Sequence, residues 1–334
     1  MKNSYWKRKS VFITGATGLL GAWLTKELVE KGAYVTIFMR DWVPHSNIVL
    51  LSLLREVNVV HGQLEDYLTL ERALNEYEID TCFHLGAQTI VGTANRSPLS
   101  TFESNIKGTW NILEAARSSS LVSRIVVASS DKAYGSQKEM PYTEEMELHG
   151  LYPYDVSKAC SDRIAFSFFH TYQLPVAITR CGNFYGGGDM NFNRIVPGTI
   201  RSLIYDESPI IRSDGNFLRD YIYIEDAVDA YLTLAEALDR EEIRGEAFNF
   251  GTGKPVRVID LVQKILDISG KRHLETIILG EGENEIKEQY LSCIKAKKIL
   301  GWESQYPLEK GLQKTIEWYK TFFGETMTRH KSFK

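Results

Sequence analysis

The sequence predicts an α/β fold, a doubly wound parallel sheet with a smaller C-terminal substrate-binding domain. Three observations carry this reading. Short apolar runs rich in β-branched residues alternate with segments of helical periodicity through the first 180 residues. The runs are continuous rather than polar at every second position, as in strands covered on both faces. The first strand-to-helix turn carries glycines three apart, the pattern of a phosphate-binding turn.

The elements follow in order. SVFITG (10–15) reads as a buried strand, GAWLTKELVEKG (21–32) as a helix stopped by glycine, and AYVTIFMR (33–40) as a second strand, together a βαβ unit. VNVVHGQL is a strand, LERALNEY a helix and DTCFHLGA a strand. STFESNIKGTWNILEAARSS (100–119) reads as one long helix, RIVVASS as a strand, SKACSDRIAFSFFHTY (157–172) as a helix and PVAITRC as a strand. Right-handed crossovers make such a series doubly wound. Past residue 181 the rhythm weakens: GNFYGGGDMNF reads as a loop, EDAVDAYLTLAEAL (225–238) as a helix, and EAFNFG (246–251) as one more strand of the sheet. VIDLVQKILDIS and LEKGLQKTIEWYKTFF are helices with no strong strand between them. The expected division is a dinucleotide-binding domain over 1–180, joined by 221–251, and a mainly substrate-binding domain over 181–330.

Bulk properties narrow the function classes. The 334 residues are 43% hydrophobic and 25% charged, with a formal net charge of −4. No basic surplus points to nucleic acid, and no run of eighteen apolar residues points to a membrane span. The N-terminal KRKSVFITGATGLLGAWL has a basic start and an apolar stretch, but TGATG breaks that stretch, so it reads as a first strand rather than a signal peptide. Cys82, Cys160, Cys181 and Cys293 lack metal or CxxC spacing and read as reduced packing residues of a cytoplasmic protein. No metal site is expected.

TGATGLLG places Gly15, Gly18 and Gly21 in GxxGxxG spacing, with Thr17, Leu19 and Leu20 between and after them. The glycines let the backbone approach a pyrophosphate, and the helix N-terminus supplies N–H donors. At the end of the second strand an acid suits NAD and an arginine suits NADP; Arg40 and Asp41 offer both. Gln63 and Leu64 in the next strand-end loop are expected on the adenine side.

Tyr154 and Lys158 in YDVSK lie one helical turn apart, so they project from one face. Solvated helix faces also produce this pair, but a nearby ammonium favours the phenolate. With the phosphate loop and the preceding Ser129 and Ser130, the pair reads as chemistry: Tyr154 takes a proton from a sugar hydroxyl that Ser130 also bonds, while a nicotinamide accepts a hydride.

TGATGLLG, FHLGAQ, SNIKGTWNILEA, SSDKAYG, YDVSK, RCGNFYGGGD and RDYIYIEDAVDA occur in an order that resembles the extended short-chain dehydrogenase/reductases acting on nucleotide sugars, from about residue 9 to about residue 320. Ser130-Asp131-Lys132 stands where 4,6-dehydratases of that family carry Thr-Asp-Glu, and the set looks most like the CDP-glucose 4,6-dehydratases. The resemblance implies a Rossmann fold, a bound NAD (NADP being open because of Arg40) and a lyase reaction. C4 of an NDP-hexose is oxidised, water leaves from C5 and C6, and the hydride returns to C6. It places Asp131 as proton donor to the leaving oxygen and Lys132 as the base at C5. It places Leu85, Ala87 and Asn105 at the cofactor, and Gln88, Asn183, Arg194 and Arg219 at the nucleotide sugar. Asn105 also reads as a residue that ties a backbone carbonyl, Asn183 as a turn cap, Arg219 as an ion-pair partner of Asp220, and Asp131-Lys132 as an ion pair. Gln63 replaces the family's usual Asp and Gly86 its usual Ala. CDP, UDP and GDP sugars all stay open, because ENEIKEQYLS (283–292) carries no readable base code. The resemblance also implies a homodimer through the helices near 100–118 and 155–171. A nucleotide-sugar epimerase or reductase on the same scaffold is the alternative.

Overall fold

A computed structural model describes residues 5–281 and 286–331. The N-terminal unit runs β1 (Ser10–Thr14), α1 (Leu19–Glu30), β2 (Tyr34–Met39), α2 (Asn47–Leu50), β3 (Asn58–His61), α3 (Tyr67–Glu76) and β4 (Thr81–His84). It continues through α4 (Val91–Arg96), α5 (Pro98–Phe102), a π-helical turn (Glu103–Lys107), α6 (Gly108–Ser118), β5 (Arg124–Ala128), a 3₁₀ turn (Asp131–Tyr134), α7 (Pro153–Tyr172) and β6 (Val176–Cys181). The C-terminal half holds β7 (Asn183–Tyr185), α8 (Ile195–Ile204), β8 (Ile210–Ile211), β9 (Leu218–Arg219), β10 (Tyr221–Tyr223), α9 (Ile224–Ala237) and β11 (Ala247–Phe250). It ends with β12 (Val256–Arg257), α10 (Val258–Ser269), β13 (Ile277–Ile278), β14 (Glu288–Gln289) and α11 (Leu308–Lys331).

Seven strands form one sheet in the order β11-β6-β5-β4-β1-β2-β3, and every pairing is parallel. The continuous apolar runs serve both faces. Val11 and Ile13 of β1 pack into one core with Val126 and Ala177, while Phe12 packs into the other with Ile125, Val127, Val176 and Ile178. Period-two alternation thus feeds two cores even where every residue of the run is apolar. Chain order reverses between β1 and β4, and a doubly wound sheet binds ligands at the carboxyl ends of its strands at such a switch point.

The structure departs from the sequence reading at three elements. The helix expected over 100–119 is broken by the π turn, inside which the Asn105 carbonyl accepts the hydroxyls of Thr109 (2.6 Å) and Ser161 (2.8 Å). One of these hydroxyls belongs to the same helix and the other, Ser161, to α7. The helix expected from 157 begins at Pro153, because proline in a first turn forfeits no bond. The glycine-rich stretch after 181 contains β7, which pairs in parallel with β10. Two further small sheets, β12-β9-β14 and β13-β8, lie in the C-terminal half. Residues 283–285 of ENEIKEQYLS lie outside the described residues.

One buried ion pair ties β6 to α7 and to the loop after β5. Arg180 donates from Nε and Nη2 to the two oxygens of Asp162 (2.8 and 2.9 Å), both side chains being at most 7% exposed. Its Nη1 donates to the Tyr134 hydroxyl (2.9 Å) and the Glu144 carbonyl (3.1 Å), and the guanidinium lies over the Tyr134 ring. Removing one partner of such a pair strands the other charge. Asp162→Ala is therefore expected to cost about 3–5 kcal/mol in denaturant unfolding, and a loss below about 1 kcal/mol would contradict this role.

Candidate active site

The site is built first by backbone approach. Gly15 has φ 75°, and a Cβ there would sit 2.7 Å from the Gly86 nitrogen and 2.8 Å from the Leu85 carbonyl carbon. The loops after β1 and β4 are thus pressed together at the switch point. A Cβ on Gly21 would lie 2.2 Å from the Gly15 oxygen, so only glycine lets α1 begin so close to the turn. Gly18 caps α1 without any side-chain bond, which leaves first-turn N–H groups facing the crevice with the positive end of the helix dipole. This cradle suits a pyrophosphate. Thr17 and Leu19 are half-buried beside it, and Leu20 is buried.

The neighbouring loops complete the wall. Leu64 is buried, and its Cδ1 would lie 3.0 Å from a Cβ at position 86, a tight contact. Gln63 is exposed, while Leu85 and Ala87 are half-buried. Arg40 donates through Nε to Asp41 (2.6 Å), with both side chains more than half exposed. Asn105 is 1% exposed and spends its amide on the protein: Oδ1 accepts from the Gln88 N–H (2.6 Å), and Nδ2 donates to the Gln88 carbonyl (3.1 Å) and the Ser157 hydroxyl (2.9 Å). Asn105, expected at the cofactor or as a tie to a backbone carbonyl, clamps the backbone of the loop after β4. Gln88 in turn accepts the Ile90 N–H through its side-chain oxygen (3.1 Å).

Sequence reading missed the polar chain behind these loops. His84 bonds Thr14 through Nδ1 (2.9 Å) and Thr109 through Nε2 (3.1 Å), and Thr14 accepts the Gly86 N–H (3.0 Å). Burial pushes the imidazole down to about 3, and the Lys158 ammonium adds to the effect, so His84 is a neutral strut. A polar residue closing the apolar run TCFH was the available signal.

Ser130 lies at the end of β5, where its Oγ accepts the Lys132 N–H (3.2 Å) and donates to Asp131 Oδ1 (3.1 Å). Tyr154 and Lys158, in the first turns of α7, are both buried. Burial raises the Tyr154 phenol to about 12, against the pull of the Ser130 hydroxyl. The Lys158 amine is pushed down to about 8 by burial and donates to the Ala128 carbonyl (2.7 Å); the Ser129 hydroxyl bonds the Lys158 carbonyl (3.3 Å). Burial is thus the largest influence on the phenol, while the Lys158 ammonium is tied to the sheet.

Asp131 is raised to about 6, chiefly by burial, although Lys132, the Ser130 bond and Arg219 pull it down. Its Oδ2 has no partner among the described residues. A carboxyl poised there can give up a proton near neutrality. Lys132 donates to Gln289 (3.3 Å). Arg194 is paired with Asp189 (3.0 Å), and its charge reaches Tyr154. Arg219 is 7% exposed, lies over the Phe217 ring, donates to the Leu218 and Lys287 carbonyls, and acts on Asp131. Asn183 donates to the Asp220 carbonyl (3.3 Å). Asp220 itself accepts from Thr252 and Gly253.

The Asp131 carboxyl carries a pH signature. Unfolded it ionises near 3.8 and folded near 6, so between these values the native state holds more protons and stability falls as pH rises, then stays lower. Asp131→Asn is expected to stabilise the protein at pH 8, by about 3 kcal/mol at most, and to give no gain at pH 4. An equal effect at both pH values in calorimetry would remove burial as the cause.

The family model described as GDP-mannose 4,6 dehydratase matches residues 12–315. CDP-glucose 4,6-dehydratase of Salmonella typhimurium (strain LT2) is 30% identical over 344 residues, covering 97% of this chain and 94% of that protein. Among solved structures, a UDP-glucose 4-epimerase of Thermotoga maritima aligns with a TM-score of 0.86 at 27% identity, over 94% of this chain and 99% of that one. A dTDP-glucose 4,6-dehydratase of Streptomyces venezuelae with NAD bound aligns at 0.83 and 25% identity, over 94% and 98%. Backbone shape thus groups dehydratases with epimerases, and side chains at the strand ends must separate them.

Proposed function

The chain belongs to the GDP-mannose 4,6 dehydratase family, and we propose from that footing how its own residues carry out the reaction. It is a nucleotide-sugar 4,6-dehydratase that uses a nicotinamide cofactor. The observation that carries the reading is Asp131: a buried carboxyl with one oxygen unpartnered among the described residues, raised towards neutrality, next to the serine at the end of β5. An epimerase has no leaving oxygen to protonate.

We assign residues 1–180 with 221–251 to dinucleotide binding and the rest of 181–330 mainly to the nucleotide sugar. β11 supports this by returning to the sheet edge beside β6. Gly15, Gly18, Gly21 and the first turn of α1 hold the pyrophosphate. The bound nicotinamide supplies the hydride acceptor and, when oxidised, a positive charge that favours the phenolate. Ser130 orients the C4 hydroxyl, and Tyr154 takes its proton. The ketone so formed acidifies C5. Lys132 then receives the C5 proton, Asp131 gives its proton to the oxygen leaving C6, and the hydride returns to C6 as C5 is reprotonated. Arg194 and Arg219, with Asn183, meet the nucleotide diphosphate, for which a guanidinium fork is suited.

The cofactor is NAD. Arg40, the group that would receive a 2′-phosphate, is held by Asp41, whose carboxylate repels a phosphate and can accept ribose hydroxyls. Asp41→Ala is expected to raise the ratio of NADP to NAD affinity at least several-fold in titration calorimetry, and an unchanged ratio would refute the assignment. Two copies pair through the helices around residues 100–118 and 155–171, where Trp110 and Tyr172 stand exposed. A light-scattering mass of one chain would overturn that.

The reaction is tested by incubating the protein with CDP-glucose, UDP-glucose, UDP-N-acetylglucosamine and GDP-mannose. One product should be lighter by the mass of a water, and an isomer of unchanged mass would mean epimerisation. Tyr154→Phe should lower turnover by about 10²–10⁴-fold and suppress the transient absorbance of reduced cofactor. Persistence of that signal would assign the base elsewhere.

A further inference from the structure

We propose that Gln289 is a positioning residue for the elimination half-reaction: its amide oxygen fixes the head group of Lys132 against the bound hexose. The inference rests on the dehydratase reading above. Gln289 is fully buried, at 0% exposure. A carboxamide in such a place is costly unless its polar atoms are bonded. Its Oε1 accepts from Lys132 Nζ (3.3 Å), while its Nε2 has no partner among the described residues. The opposite amide orientation would set two donors face to face, so hydrogen-bond chemistry selects the observed one.

Asp131 Oδ2, on the residue preceding Lys132, is also buried and has no partner among the described residues. One orphaned donor and one orphaned acceptor therefore occur in the side chains next to this amine in sequence and in space. Native interiors rarely leave such atoms unpaired. Two together leave the bonding around this amine incomplete.

The main chain explains how Gln289 can hold a position. β14 pairs in parallel with β9, setting Gln289 opposite Arg219. The Gln289 carbonyl accepts the Asp220 N–H (3.2 Å), and the Lys287 carbonyl accepts the Leu218 N–H (2.9 Å) and Arg219 Nη1 (3.1 Å). On the next residues, Tyr290 accepts the Tyr142 N–H (3.0 Å) and Ser292 donates to the Tyr142 carbonyl (2.8 Å). The strand is bonded to β9 and to the loop after the 3₁₀ turn, so the amide at position 289 is a fixed post. A lysine side chain is long and flexible, and a fixed acceptor is what such a group needs to act at one carbon.

The test separates the two halves of the reaction. Gln289→Leu should release water about 10–100-fold more slowly, while reduced-cofactor absorbance appears at the wild-type rate and then persists, with KM within about twofold. In a Lys132→Met background, Gln289→Leu should add almost nothing, the mark of a residue acting through another. If Gln289→Leu does not fold, Gln289→Asn, too short to reach Lys132, carries the same comparison. Equal slowing of oxidation and elimination, or additive effects with Lys132→Met, would overturn the proposal. A wild-type protein that oxidises and dehydrates beside an unaffected Gln289→Leu sinks this inference alone; a wild-type protein that releases no water sinks the dehydratase reading with it.

Discussion

A guanidinium on a central strand of a closed core has to be neutralised where it stands, and Asp162 does this for Arg180. The consequences reach the site because the remaining donor of Arg180 serves Tyr134 and Glu144. The pair thereby joins β6, the helix that presents Tyr154 and Lys158, and the turn that presents Ser130, Asp131 and Lys132. These reactive groups come from two segments about twenty residues apart in sequence. Their common frame is a charge pair lying beneath them in the core.

Above that frame, desolvation sets the chemistry. Asp131 and Tyr154 are raised and Lys158 and His84 are lowered, each with burial as its largest cause. Every one of these groups is pushed towards its uncharged form, as a low-dielectric crevice requires. On the function proposed above, charge then enters with the ligands: a diphosphate beside Arg219 and Arg194, and a pyridinium beside the phenol. A tyrosine poorly suited to be a base in the free protein thus fits a site whose ionisation is completed by what it binds.

Much of this was legible in the chain. Strands such as SVFIT, TCFH and VAITRC needed no partner to be recognised, since continuous apolar runs of this length are buried on both faces. TGATGLLG announced its turn because Gly15 and Gly21 have no steric alternative. What escaped depends on residues distant in sequence. The π turn offers its carbonyl to a hydroxyl on a helix some fifty residues later. The clamp made by Asn105 needs the Gln88 backbone to be present. The two-residue strand β14 exists only through pairing with β9, and no periodicity can reveal a strand that short. Asp131 was picked out by its neighbours, but its raised ionisation came from enclosure, which a linear text does not record.

The widened turn at Glu103–Lys107 has a bearing on how this framework tolerates change. Adding a residue to an α-helix advances the angular phase of everything beyond it by about 100°. The side chains of α5 and those of α6 are therefore out of step by design: upstream positions obey one compass bearing and downstream positions another. Asn105 stands at the dislocation between them. A lineage that shed one amino acid here would regain a smoother spiral with α6 facing as it does now, and what it would forfeit is the displaced Asn105 carbonyl that receives Thr109 and Ser161.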